Sequence, residues 1–169
     1  SRVYEIFITR YSTSASLENF SVANRLYPLI EVFIYPIYYL LFPNYSKLNS
    51  NSDMQTALNF TIKILAYFIA PISIFLMFFS QQAIVAIFGP YYKEGWIYLS
   101  LLALYWLLFC FGGGPISSLI AAQGYTKMIF KLTLIHTILG LVLIVILVPL
   151  FSIIGAITVG LISGWPSFF

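Results

Sequence analysis

The sequence predicts an all-α, polytopic bundle of membrane helices, and three observations carry this prediction. Only 8% of the 169 residues are charged, 61% are hydrophobic, and the mean hydropathy is +0.96. Three stretches, 64–90, 95–126 and 132–169, contain no Lys, Arg, Asp or Glu. A soluble domain cannot shield such stretches from water, whereas a bilayer core of ~30 Å takes about 20 apolar residues per helical crossing. We therefore expect five to six transmembrane helices.

The hydropathy pattern divides the chain into five spans and the end of an earlier helix. Residues 1–9 are that end, because they are too few to cross a bilayer alone. A polar loop at 10–19 leads to a predicted helix cap at Asn19. The spans follow at about 20–42, 58–80, 96–123, 128–150 and 153–169, the last of them truncated. We interpret the chain as a single transmembrane bundle that is a fragment of a longer protein.

Prolines and glycines predict that several of these helices are irregular. Pro28 and Pro36 lie in the first span and Pro71 lies in the second. Because proline removes a backbone donor and clashes with the preceding turn, we expect kinks in both spans. In the third span, the sequence Gly-Gly-Gly-Pro at 112–115 predicts a bend or a short unwound stretch.

Positive residues near the span ends predict the orientation of the bundle. Lys47 and Lys63 flank the first long loop, and Lys127 and Lys131 flank the loop after the third span. The intervening loop at 81–95 has one lysine next to a glutamate, and the last turn has no charge. Cytoplasmic loops carry the excess of basic residues, so Lys47 and Lys127 are expected on the cytoplasmic side. The Lys127/Lys131 pair is interpreted as a topology anchor rather than a headgroup site.

The sequence offers no pattern for bond-making chemistry. It contains no HExxH, no phosphate-binding glycine loop, and no acidic pair suited to a prenyl diphosphate and its metal. The single cysteine, Cys110, excludes a disulfide within the chain. A net charge of +3 carried by few residues does not indicate a nucleic-acid surface. We expect no enzyme activity, no metal, no cofactor and no nucleic-acid partner.

Arg25 and Glu31 are the most informative polar residues, because both fall within the first span. Burying a charge at membrane depth costs about 2.5–3.5 kcal/mol on insertion scales. Arg25 either extends to the interface or faces an aqueous cavity. Glu31 lies nearer the middle of the membrane, where it either lines a cavity, with a role in ion coupling, or belongs to a buried structural pair. Six positions apart, the two do not share a helix face unless the kink at Pro28 rotates one toward the other.

Three further polar residues complete the set of candidates for a substrate cavity. Asn24 and Asn59 are suited to hydrogen bonds between helices. His136, two turns into the fourth span, is either a hydrogen-bonded packing residue or a proton relay.

Four parts of the sequence resemble motifs of polysaccharide-biosynthesis flippases. Each is weak alone, but they occur in the family's order over most of the chain. They are FSVANRLY at 20–27 with LFPNYSKL at 41–48, FGPYY at 88–92, AAQGYTK at 121–127, and PLFSIIGA at 149–156.

These flippases belong to the multidrug, oligosaccharidyl-lipid and polysaccharide exporter superfamily, whose members have two lobes of helices around a central cavity. The resemblance implies a second-lobe fragment, whose missing partner is the first lobe of the same polypeptide. It also implies a flippase that moves a lipid-linked oligosaccharide or polysaccharide precursor across the cytoplasmic membrane. Arg25 would then meet the diphosphate of a lipid-linked glycan. Implied partners are the lipid bilayer, that glycan and a coupling cation.

Two other functions stay open. A cation-coupled multidrug antiporter of the same superfamily would need acids in its cavity, and Glu31 is the only acid deep in these spans. An integral-membrane glycan polymerase would need acidic or histidine clusters in its loops, and Asp53 and Glu94 are isolated.

Overall fold

The chain folds into helices joined by short turns, which confirms the predicted all-α class. The computed structural model describes residues 10, 12–26, 28–29, 31–32, 34, 36–37, 45–48, 50–109 and 114–163. Its α-helices are α1 (Ser14–Leu26), α2 (Asn51–Phe88), α3 (Trp96–Leu108), α4 (Gly114–Ala122) and α5 (Thr126–Ser163), and a 3₁₀ helix, Pro90–Gly95, joins α2 to α3. The described positions from 28 to 37 are also helical. The predicted helix end at 1–9, Cys110, and residues 164–169 of the predicted last span lie outside the described residues.

Two helices in the described ranges are long and apolar enough to cross a membrane, fewer than the five to six predicted. They are Ser52–Phe88 and Thr126–Ile162. The prediction counted each apolar stretch as one crossing, including the third, for which it expected a bend or a short unwound stretch. Helices α1 and α3 have 13 residues each and α4 has nine, all short of the roughly 20 that a single crossing needs.

Helix α1 begins five residues before the cap that the sequence suggests at Asn19. The hydroxyl of Thr13 accepts a hydrogen bond from the N–H of Ser16 at 3.3 Å, and the N–H of Leu17 donates to the Thr13 carbonyl at 3.0 Å. Thr13 therefore caps the helix. Asn19 is buried inside it and donates from Nδ2 to the carbonyl of Ala15 at 2.9 Å. The predicted cap at Asn19 is wrong.

Helix α2 extends well beyond its predicted apolar segment at both ends. Its 38 residues would measure about 57 Å if straight, almost twice the thickness of a bilayer core. The backbone departs from helical geometry at Phe79 (φ −108°, ψ 16°) rather than at Pro71. The helix ends at Gly89, whose φ of 93° favours glycine and whose N–H donates to Val85 at 3.0 Å.

The buried core lies between α1, α2, α3 and the second part of α5. It is formed largely by aliphatic side chains, among them Val22, Leu65, Ile69, Ile84, Leu99, Leu102, Ile144, Val148, Ile153 and Val159. Polar contacts also join α2 and α3 there: the hydroxyls of Ser80 and Ser100 are 2.9 Å apart, and the Ser100 hydroxyl is 3.3 Å from the carbonyl oxygen of Met77. By contrast, large aromatic side chains such as Tyr67 and Phe78 are each 77% exposed. Such a surface is suited to lipid rather than to water.

At one end of the bundle, α1 packs closely against the turn between α2 and α3. A Cβ atom added to Gly95 would lie 2.8 Å from the carbonyl oxygen of Asn19, so only glycine fits there. The rings of Phe20 and Tyr98 meet edge to face, with centroids 5.9 Å apart.

Helix α5 bends sharply at Ser152, which has φ 51° and ψ −127°. These angles match the first central position of a type II′ turn, which glycine usually occupies. Because of this bend, Gly155 lies against the backbone of Leu147, eight residues earlier in the chain. In a straight helix the two residues would be about 12 Å apart along the axis. Most residues of 153–160 are buried, whereas most of 126–139 are exposed. The bend therefore folds the last part of the chain into the core.

Candidate functional site

The last turn of α1 places Asn24 and Arg25 beside its core-facing residues. Val22, Ala23 and Leu26 are buried, Asn24 is half-buried and Arg25 is exposed. The Oδ1 atom of Asn24 is itself buried and has no hydrogen-bond partner among the described residues. A buried acceptor without a partner is costly, so this position is suited to a donor from outside the described residues.

Glu31 lies half-buried in the helical segment after α1 and interacts electrostatically with Tyr105 of α3. Tyr105 is buried and stacks on Phe109, with ring centroids 6.1 Å apart. Sequence reasoning missed Tyr105, since a tyrosine in an apolar helix carries no signal of its own. In the described part of the chain, Glu31 and Arg25 form no ion pair with each other.

The other two predicted candidates, Asn59 and His136, are both exposed. Asn59 lies in the third turn of α2, and His136 lies in the exposed first part of α5. The predicted substrate roles of all five polar residues stay predictions.

A partly buried polar contact near the start of α2 joins two parts of the chain that are far apart in sequence. The Nε2 atom of Gln123 donates to the carbonyls of Tyr45 at 2.7 Å and Leu48 at 3.0 Å. Tyr45 is 1% exposed, and its hydroxyl is hydrogen-bonded to Thr61 of α2. Burial raises the pKa of the Tyr45 phenol, against the opposing effect of that hydrogen bond, so the phenol stays neutral.

This contact shows that the loops of Lys47 and Lys127 lie at the same end of the bundle. Lys47 lies between the two residues whose carbonyls accept from Gln123, and Lys127 follows Gln123 by four positions. Gly95 and Asn19 meet beyond the other end of α2. Sequence reasoning did not single out Gln123.

A cavity of about 480 Å³ lies at the start of α5. Lys127 and Lys131 line it together with Gly124, Tyr125, Thr126 and Met128. None of the five predicted candidates is among its lining residues. Within the described ranges, no group of three or more His, Cys, Asp or Glu residues is arranged to hold a metal ion.

Comparison with known proteins gives one result. Residues 1–96, more than half of the chain, match the model of a family described as "Polysaccharide biosynthesis protein". No curated protein and no solved structure matches the chain. The match includes the resembling segments at 20–27, 41–48 and 88–92, whereas those at 121–127 and 149–156 lie beyond it. The family match, the two long apolar helices and the exposed aromatic surface together indicate a membrane protein. The chain belongs to the polysaccharide biosynthesis protein family.

Proposed function

We propose that the chain is part of a multi-pass exporter of the cytoplasmic membrane that moves a lipid-linked oligosaccharide or polysaccharide precursor to the outer face. The match of residues 1–96 to the polysaccharide biosynthesis family is the observation that carries this proposal. The helical architecture supports it, because long apolar helices provide a path across the bilayer without any loop exposed to lipid.

Transport fits these residues better than catalysis does. The polar side chains of the predicted first span, Asn24 and Arg25 at the end of α1 and Glu31 in the helical segment after it, do not form an acid–base or nucleophilic set. Polar side chains within a span can guide a charged headgroup while its lipid tail stays in the bilayer. The activity that we propose therefore forms no covalent bond.

In this proposal Arg25 binds the diphosphate of the substrate, and the buried Oδ1 of Asn24 accepts a hydrogen bond from a hydroxyl group of its sugar. The guanidinium of Arg25 cannot be deprotonated and matches phosphate geometry with paired donors. A first lobe of the same polypeptide completes the cavity. Bends in the helices, such as those at Phe79 and Ser152, allow the lobe to rock between two shapes.

The test is translocation by the full-length protein in liposomes. A lipid-linked oligosaccharide with a fluorophore on its sugar is placed in both leaflets, and a membrane-impermeant quencher is added outside. Passive exchange of so polar a headgroup is very slow, because its desolvation is costly. We expect the protein to raise the quenched fraction from about half to nearly all of the substrate. Equal quenching in protein-free liposomes and in liposomes that contain the protein would refute the proposal.

A cation-coupled multidrug antiporter is the second candidate function, and the half-buried acidic side chain of Glu31 favours it. A carboxyl group within a membrane helix is suited to bind and release a cation. Liposomes with an imposed proton or sodium gradient separate the two functions. Efflux of a fluorescent organic cation that is lost in Glu31→Gln, without movement of the lipid-linked sugar, would favour the antiporter. Lengthened glycan products in the same vesicles would instead favour a polymerase.

A further inference from the structure

The cavity at the start of α5 combines two cationic side chains with an apolar edge. Lys127 and Lys131 are exposed and lie one helical turn apart, about 6 Å along the axis. They therefore project from the same side of α5 into one cavity. Within the described part of the chain, neither ammonium group is paired with a carboxylate. Two unpaired positive charges at one cavity are suited to a single anionic group.

The side chains rather than the helix terminus supply this positive charge. The first N–H groups of α5 are largely engaged: Thr126 donates to Gly124 at 2.8 Å, and Met128 and Ile129 donate to Tyr125 at 3.0 and 3.1 Å. An anion in the cavity would therefore be held by the ammonium groups, with the Thr126 hydroxyl within the same lining.

Two other lining residues, Tyr125 and Met128, give the cavity an exposed apolar part. Tyr125 is 62% exposed and Met128 is 51% exposed, and the helix continues with the exposed side chains of Phe130 and Leu134. A free phosphate ion gains nothing from such neighbours. A phospholipid places its phosphate and its glycerol and acyl groups side by side, so it satisfies both parts of the lining.

The position of the cavity agrees with this ligand. Lys47 lies at the same end of the bundle, which the distribution of lysines assigns to the cytoplasmic leaflet. That leaflet carries anionic lipids and attracts juxtamembrane lysines. We propose that Lys127 and Lys131 form a binding site for the phosphate group of an anionic phospholipid. The proposal depends on the membrane location of the chain and not on what the protein transports.

The experiment measures lipid binding to the full-length protein in detergent by native mass spectrometry, with phosphatidylglycerol and phosphatidylcholine as the probes. We expect the wild-type protein to prefer phosphatidylglycerol. The double variant Lys127→Gln/Lys131→Gln should bind it about 25-fold more weakly, because each lysine near an anionic lipid contributes a factor of about five. The variant Lys127→Arg/Lys131→Arg should retain binding.

A matched control removes two positive charges elsewhere. Arg10 and Lys93 are both exposed, and the turn that contains Lys93 packs against α1 at the other end of the bundle. Arg10→Gln/Lys93→Gln should therefore bind phosphatidylglycerol within about twofold of the wild-type protein. Thermal unfolding of each variant checks the fold, and we expect midpoints close to that of the wild-type protein because the replaced side chains are exposed.

Two outcomes would overturn the proposal. One is equal phosphatidylglycerol binding by the wild-type protein and the Lys127→Gln/Lys131→Gln variant. The other outcome concerns the source of the phosphate group. We expect inorganic phosphate to displace the lipid no better than sodium chloride does at the same ionic strength. Specific displacement by inorganic phosphate would identify a site for soluble phosphate instead of a lipid.

Discussion

Gly155→Ala is expected to lower the free energy of unfolding by about 3 kcal/mol, since the added methyl group meets main-chain atoms. A Cβ at this position would overlap the carbonyl oxygen of Leu147 and lie 2.7 Å from its carbonyl carbon. Backbone atoms cannot move aside as a flexible side chain can. The two parts of α5 would have to separate, which would withdraw Ile153 and Val159 from the core. The midpoint of thermal unfolding in detergent should fall by about 10 °C.

The variant Leu150→Ala is the control for this prediction. Leu150 lies just before the bend and is 69% exposed, so its truncation removes few contacts and should leave the midpoint almost unchanged. Ser152→Gly should be neutral or stabilising, because glycine adopts a φ of 51° without strain. If Gly155→Ala unfolded at the same temperature as the wild-type protein, the bend that brings residue 155 against Leu147 would be contradicted.

Arg25→Ala is expected to reduce translocation of the lipid-linked glycan by about 10- to 100-fold, because a charged hydrogen bond to phosphate contributes about 1.5–3 kcal/mol. Arg25 is exposed at the last turn of α1 and has no ion-pair partner among the described residues. Its guanidinium is therefore available to a substrate. Arg25→Lys should recover part of the rate, since lysine keeps the charge but loses the paired donors. The measurement is surface glycan in cells that carry the full-length protein.

Expression must be equal for this comparison, and Lys93→Ala provides the control. Lys93 is also exposed and basic but lies in the 3₁₀ helix between α2 and α3, outside the first span. Its replacement should leave surface glycan unchanged. If Arg25→Ala also left surface glycan at the wild-type level, Arg25 would be a residue that merely reaches the membrane interface.

The sequence predicts the class of this fold well because hydropathy and charge report where a chain meets lipid. It predicts helix ends less well, because a helix can continue beyond the bilayer. Ser14 lies within α1 and Asp53 lies within α2, although both belong to polar segments whose composition suggests loops. Conversely, the predicted break between the spans at 128–150 and 153–169 coincides with the bend of α5 at Ser152.

Contacts between distant parts of the chain account for what the sequence could not predict in the candidate site. Gln123 is 78 residues from Tyr45, whose carbonyl it binds, and no local pattern indicates that pairing. The same holds for Glu31 and Tyr105, which belong to different helical segments. The lysine pair at the start of α5 was visible in the sequence as a topology anchor. Its cavity depends on how Tyr125 and Met128 surround it, which only the fold reveals.

Cysteine labelling at the two ends of α2 tests most directly whether this chain crosses the membrane in the proposed orientation. Ser46 lies shortly before the start of α2 and Glu94 lies shortly after its end, and both are exposed. In full-length protein that lacks Cys110, Glu94→Cys should react with an impermeant maleimide on intact cells. Ser46→Cys should react only after the membrane is permeabilised. Reversed labelling would contradict the orientation, and labelling of both positions from the same side would contradict a single crossing by α2.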